Sequence, residues 1–159
     1  MSDVRVLLAA LAVAKEGTIS TLGLGSCVAI VLYDPAVRVG GMAHILLPDV
    51  TMTRDRSNPA KFPATAVPVL LDQMAELGAV RSRIRAKIAG GASMFASLLP
   101  RNVEPIGDRN VAATREALKS AGVPVVAEDV GADHGRSVCL YLDDGRVEVR
   151  SIKRGNRVL

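Results

Sequence analysis

Aromatic side chains are nearly missing from this 159-residue chain: it has no tryptophan, and Tyr33, Tyr141, Phe62 and Phe95 are the only rings of that kind. Proteins that hold single-stranded nucleic acid stack bases on rings set along a basic groove. A net charge of +4 without such rings therefore argues against nucleic acid as a partner. Cysteine is equally scarce. Cys27 and Cys139 are too few for a disulfide scaffold and too far apart for C-x-x-C, and with only His44 and His134 there is no H-E-x-x-H pair. The common zinc arrangements are thereby removed, and no metal is expected. No apolar run approaches the ~18 residues of a membrane span, so no direct membrane insertion is expected.

What is present is an ordinary globular composition, 49% hydrophobic and 23% charged. A chain of this length buries about two-thirds of its unfolded surface and needs no staples, which fits one domain over 1–159. Fifteen of the twenty basic residues are arginine, the side chain suited to gripping carboxylates and phosphates with a planar fork. They cluster at Arg81, Arg83, Arg85 and Lys87 and again from Arg146 to Arg157, as solvated faces or as an attraction for an acidic protein surface. The run Val6 to Ala14 imitates a signal peptide ending in A-x-A, but Asp3 dilutes the positive start and the run is short. It reads as a first, mostly buried strand, and the expected compartment is the cytoplasm, where both thiols stay reduced.

Period and punctuation give strands near 4–13, 17–20, 27–33 and 37–46, the last two joined at Asp34-Pro35. Val67, Leu70, Leu71, Met74 and Leu77 form a helical stripe over 64–77 closed by Gly78, with Pro68 in the first turn if Thr65 caps it. From Arg81 to Ala89 basic and apolar residues alternate as in a half-wet strand. A second helix follows over about 108–121. Strands return at 124–130, 136–142 and 146–153, the last two a hairpin on Asp144-Gly145. Without strict strand–helix alternation the class is α+β: a layered mixed β-sandwich with helices packed on the outside.

Two places could carry chemistry. In Thr21-Leu22-Gly23-Leu24-Gly25-Ser26-Cys27 a cysteine follows a glycine turn and precedes the apolar strand Val28 to Leu32. Such turns bring backbone N–H groups close to a ligand, though a cysteine is also a small buried hydrophobe. His44 lies on the other arm of the hairpin, nine residues after Pro35 where Cys27 is seven before Asp34, so the two are cross-strand neighbours or near neighbours. A thiol and an imidazole within reach make an activated nucleophile, with a third group needed to orient the ring. A core histidine satisfied by backbone fits the same pairing.

The motifs TLGLGSCVAIV from Thr21 to Val31, Tyr33-Asp34-Pro35, Gly40-Gly41-Met42-Ala43-His44, Lys87 to Phe95 (KIAGGASMF), Ile106 to Val111 (IGDRNV) and Ala127 to Gly131 (AEDVG) run in order along nearly the whole chain. Together they closely resemble the CheD family of chemoreceptor glutamine deamidases. The resemblance implies a cysteine hydrolase fold related to bacterial toxin deamidases. It also implies deamidation of glutamines on the cytoplasmic domains of methyl-accepting chemotaxis receptors, without a cofactor. Carried over by position, Cys27 would be the nucleophile, His44 the base and then acid, and Thr21 the group orienting His44. Gly25 and Ser26 would lie at the oxyanion, and Gly90, Gly91, Ala92, Ser93, Met94 and Phe95 at the substrate rim. For Met94 and Phe95 a core role fits equally well.

The family resemblance also implies binding of CheC, a phosphatase of the phosphorylated response regulator, and in some members hydrolysis of receptor methyl esters. A rival expectation is a CheC-binding regulator with secondary deamidase activity. One segment departs from the family pattern: after Lys61 come Phe62, Pro63 and Ala64 where a tyrosine and, two residues later, an acidic residue are usual. The departure removes the phenolic hydroxyl and the carboxylate that the family carries in that loop. His134, in a glycine-rich turn, is expected to be solvent-exposed, and Cys139, between Val138 and Leu140, to be structural.

Overall fold

The apolar residues sort onto two faces of one central sheet, and that division builds three layers. The computed structural model describes residues 2–159. The central sheet has the order β2 (Leu11–Ala14), β5 (Val39–Ile45), β4 (Val28–Asp34), β6 (Arg85–Gly90) and β7 (Val125–Val130). Val28, Ile30 and Leu32 on β4 face the helices α1 (Pro63–Glu76) and α2 (Ile106–Ser120), in a core that includes Leu70, Met74 and Leu118. Ala29 and Val31 face the opposite way, toward a second sheet. Its order is β1 (Asp3–Arg5), β3 (Thr18–Leu24), β8 (Arg136–Tyr141), β9 (Val147–Ser151) and β10 (Gly155–Val158). The continuous apolar run of β4 thus reflects a strand buried on both faces. The α+β sandwich with helices outside is what the structure shows.

Both helices bury one stripe. On α1 these are Ala66, Val67, Leu70, Leu71 and Met74. The helix opens at Pro63, where a missing N–H costs nothing. Pro68 therefore falls in the second turn and not the first, on the exposed side of the helix, and Thr65 does not cap it: its hydroxyl donates back to the Pro59 and Phe62 carbonyls. Phe62, the departure from the family pattern, is an interior ring at 1% exposure.

Three further expectations are corrected. The apolar stretch 4–13 is not one strand: Ala9 adopts a left-handed φ of 56° and turns the chain, leaving Leu7 and Leu8 exposed between β1 and β2. Arg81–Arg83 is a 3-10 turn, because the buried Asp34 carboxylate captures the Val80 N–H at 2.8 Å and the Arg83 guanidinium at 3.0 Å. With Lys87 reaching the Gly145 and Leu159 carbonyls, the four basic residues do not share a strand face. The strand expected over 146–153 is β9 and stops at Ser151; the chain turns at 152–154 and adds an unexpected strand, β10. The hairpin on Asp144-Gly145 forms as expected, with Gly145 at φ 79°.

Candidate active site

Thr21, His44 and Cys27 converge between the two sheets at one end of β4. On β5, His44 pairs with Ala29, whose side chain faces the inter-sheet layer. Cys27 lies two residues before Ala29 and faces the same layer, so the thiol and imidazole are diagonal neighbours across the strand pair. Thr21 comes from the other sheet. A bulge between Thr21 and Leu24, with Gly23 at φ 70°, lets both side chains turn inward where strict alternation would expose one.

The hydrogen bonds set the imidazole's tautomer. The Thr21 hydroxyl lies 2.7 Å from the Val6 carbonyl oxygen and 2.7 Å from His44 Nδ1. A hydroxyl has one proton, and a carbonyl can only accept, so Thr21 donates to Val6 and accepts from Nδ1–H. Nε2 is then the unprotonated nitrogen. It is buried and has no hydrogen-bond partner among the described residues, so its lone pair is unoccupied. The backbone of His44 is pinned on its outer side as well, with its carbonyl accepting from Ala9 N–H at 2.9 Å and its N–H donating to Ala10 at 3.0 Å.

Burial shifts both the Cys27 thiol and the His44 imidazole. Cys27 is 8% exposed, and burial pushes its thiol above the ordinary 9.0, tempered by its own backbone N–H. Burial likewise holds His44 below the ordinary 6.5. Both shifts have the same cause, burial, and both favour the uncharged form of the group.

The thiol turn is held from one side by the end of β6. Gly91 N–H donates to the Cys27 carbonyl at 2.8 Å and Ala92 N–H to the Gly25 carbonyl at 2.9 Å. Gly90, at φ 113°, approaches so closely that a Cβ would overlap the Cys27 carbonyl oxygen. Gly90 and Gly91 are thus buried behind the cysteine and do not line the cleft beside it.

That cleft, about 260 Å³, is lined by Ser26, Ala92, Ser93, Met94 and Phe95 together with Leu99, Pro105 and Ile106. Gly25 borders it, close enough that a Cβ would touch the Met94 methyl at 3.6 Å. Met94 and Phe95 are 45% and 72% exposed, which places them on the rim and ends their core alternative. The Ser93 hydroxyl is buried and unpartnered among the described residues.

His134 is buried, contrary to expectation, at 9% exposure beside the buried Arg136. Burial first, then the Arg136 and Arg154 charges, hold it below the ordinary value. Cys139 is half-buried on the outer face of its sheet, while Val138 and Leu140 point inward. Among the described residues no group of three or more His, Cys, Asp or Glu side chains is placed to hold a metal, and no helix is long and apolar enough to cross a membrane.

Sequence reasoning missed the Val6 carbonyl, for which no side chain gives a signal. It also missed Asn110, whose signal was legible: it shares the buried face of α2 with Thr114 and Leu118 at spacings i, i+4 and i+8.

The model of the family described as CheD chemotactic sensory transduction matches residues 46–151. A protein of Caldanaerobacter subterraneus subsp. tengcongensis is 46% identical over 89% of this chain and 87% of its own length. One of Clostridium novyi is 44% identical over 87% and 86%. One of Clostridium tetani is 44% identical over 98% and 94%, a span that takes in Thr21, Cys27 and His44. All three carry the name "Probable chemoreceptor glutamine deamidase CheD". A crystal structure of a Bacillus licheniformis hypothetical protein, YfiH, superposes with a TM-score of 0.47 at 16% identity over 75% of this chain and 49% of that one.

Proposed function

Because the chain belongs to the CheD family, we propose that it is a chemoreceptor glutamine deamidase, hydrolysing glutamine side chains of receptor cytoplasmic domains to glutamate. The observation that carries this reading is the Thr21–His44 hydrogen bond, which leaves Nε2 bare on the same sheet face as the Cys27 thiol. His134 also keeps a buried, unpartnered nitrogen, Nδ1; what sets His44 apart is the Cys27 thiol one diagonal step away on the same sheet face and the Thr21 hydroxyl that orients its ring.

Each residue then has a step. His44 Nε2 takes the Cys27 proton as the sulfur attacks the carboxamide carbon of glutamine, and Thr21 holds the ring while its charge develops. Backbone N–H groups of the Gly25 to Cys27 turn would receive the oxygen on which negative charge collects. His44 returns the proton to the departing nitrogen, so ammonia leaves and a thioester remains. Water, deprotonated by His44, adds to the thioester carbon; the C–S bond breaks, the sulfur recovers its proton, and glutamate is released. The cycle needs no redox partner.

The exposed apolar residues Met94, Phe95, Leu98 and Leu99 beside the cleft suit a partner presenting an apolar helix face. A receptor cytoplasmic domain as substrate places the enzyme in the cytoplasm.

The test is incubation with a receptor cytoplasmic fragment, read by mass spectrometry. Conversion of glutamine to glutamate adds about one mass unit per site and should vanish in a folded Cys27→Ala variant. A folded Cys27→Ala protein that still converts glutamine would move the chemistry elsewhere.

A further inference from the structure

The β4–β5 ladder ends one step short of the chemistry. Its last pair is Val28 with Ile45, so Cys27 and Leu46 lie beyond the regular hydrogen bonds. Leu46 turns its N–H away, to the Lys61 carbonyl at 2.9 Å. At this gap a side chain from α2 takes over. Asn110, wholly buried, donates one amide hydrogen to the Ser26 carbonyl at 2.9 Å and the other to the Leu46 carbonyl at 3.1 Å. Ser26 immediately precedes the thiol residue, and Leu46 follows the imidazole residue by two.

The helix is brought close enough for this by Gly107. A Cβ there would overlap the Ala92 and Gly91 carbonyl oxygens, so only glycine lets the first turn of α2 press on the segment that also holds the Cys27 carbonyl. Asn110 is three residues on, one turn along the same face. The amide's orientation follows from its partners, because two carbonyls need two N–H donors and the amide nitrogen alone supplies both.

We propose that Asn110 is a positioning residue of the deamidase: its amide clamps the Ser26 and Leu46 carbonyls together and thereby sets the separation of the Cys27 thiol from His44 Nε2. This rests on the reading of Cys27 and His44 as the reacting pair. Asn110 touches neither substrate nor the reacting atoms. It replaces the missing rungs of the ladder where the two strands diverge, at the point where a misplacement of about 1 Å can cost a hundredfold in rate.

The experiment uses Asn110→Asp and Asn110→Ala in the full chain, with Asn156→Asp on the exposed strand β10 as control. It reads kcat and KM on a receptor fragment, the iodoacetamide alkylation rate of Cys27 with Cys139 as internal reference, and thermal melting. Removing the clamp should lower kcat about tenfold or more, leave KM within about twofold, and slow Cys27 alkylation in parallel. In Asn110→Asp the new carboxyl is buried against two carbonyl oxygens, which raises its pKa well above that of an exposed aspartate, so the ratio of variant to wild-type alkylation should rise several-fold from about pH 8 to about pH 5.5 as the protonated acid regains one O–H donor. A residue with only a structural role would lower the melting temperature without that pH-dependent recovery.

The inference is overturned if kcat and alkylation in folded Asn110→Asp stay within about twofold of wild type while Cys27→Ala is inactive. If Asn110→Asp does not fold, the same kcat and alkylation criteria are applied to Asn110→Ala. Activity in a folded Cys27→Ala protein is a separate result, which overturns the deamidase mechanism and this inference with it.

Discussion

Thr21 and His44 meet across two different β-sheets, and the 2.7 Å bond between the hydroxyl and Nδ1 joins the sandwich layers at the point where chemistry is expected. Because that hydroxyl spends its proton on the Val6 carbonyl, it can only accept from the ring. Orientation and tautomer are therefore set by one side chain and one backbone oxygen.

Thr21→Val keeps the shape and removes the hydroxyl, leaving Nδ1 and the Val6 carbonyl buried without partners. Losing an orienting hydrogen bond of about 1 kcal/mol lowers kcat about fivefold, and a hundredfold or more if the ring then takes the other tautomer. Thr21→Ser, which retains both bonds, should stay within about threefold of wild type. Steady-state rates on a receptor fragment check both. Equal rates for Thr21→Val and wild type would remove Thr21 from the mechanism.

The pH profile follows from burial. His44 must be neutral to accept the thiol proton, and burial holds it below 6.5, so the acid limb of kcat/KM should lie below that value. Burial also raises the Cys27 thiol above 9.0, which favours a broad plateau between the two limbs. The same shift bears on stability. A histidine that stays neutral when folded binds fewer protons than its unfolded form once pH falls through 6.5, so its stability contribution is present above that pH and declines below it. An acid limb at pH 7 or higher would mean that the imidazole is not buried in the active form.

The parts of this arrangement were unequally legible in the amino-acid sequence. The β4–β5 hairpin could be read because Asp34-Pro35 is a local turn signal, and counting outward from it brought His44 near Cys27 with an error of one diagonal step. The boundaries of α1 and α2 followed from their stripes within about two residues. The alternation from Arg81 to Ala89 misled because Asp34, distant in sequence, pulls Val80 and Arg83 into a turn, and no local pattern announces a tertiary carboxylate. Leu7 and Leu8 look like core by composition. The left-handed turn at Ala9 that exposes them has neither glycine nor proline to mark it.

The Arg136–Asp129 pair should matter far more for stability than its neighbour on the same strand. The Arg136 side chain is 1% exposed, meets Asp129 at 2.8 Å and also donates to the His134 carbonyl. Asp129→Asn leaves this guanidinium uncompensated and should cost about 3–5 kcal/mol. Glu128→Gln breaks the Arg115–Glu128 bridge, which is exposed on both sides, and should cost no more than about 1 kcal/mol. Urea midpoints at constant slope distinguish the two. Similar costs would show that Arg136 finds compensation elsewhere.

Gly90 and Gly23 both have positive φ, but the structure assigns them different consequences. At Gly23, φ is 70° and nothing lies within 4 Å of an added Cβ, so Gly23→Ala meets only backbone strain of about 1–2 kcal/mol and should keep its turnover. At Gly90, φ is 113° and the Cβ would overlap the Cys27 carbonyl oxygen, a backbone atom with no rotamer to escape into. Either β6 or the Cys27 turn must move, and the Cys27 carbonyl is the one that Gly91 N–H holds. Gly90→Ala should therefore lose turnover by about a hundredfold or more, the cost of displacing a nucleophile by roughly an ångström, beyond any fall in melting temperature. Cys27 alkylation in the folded variant should slow with it while Cys139 labels as before. If Gly90→Ala melted lower yet turned over at the wild-type rate, the approach of β6 to the cysteine would be structural packing alone.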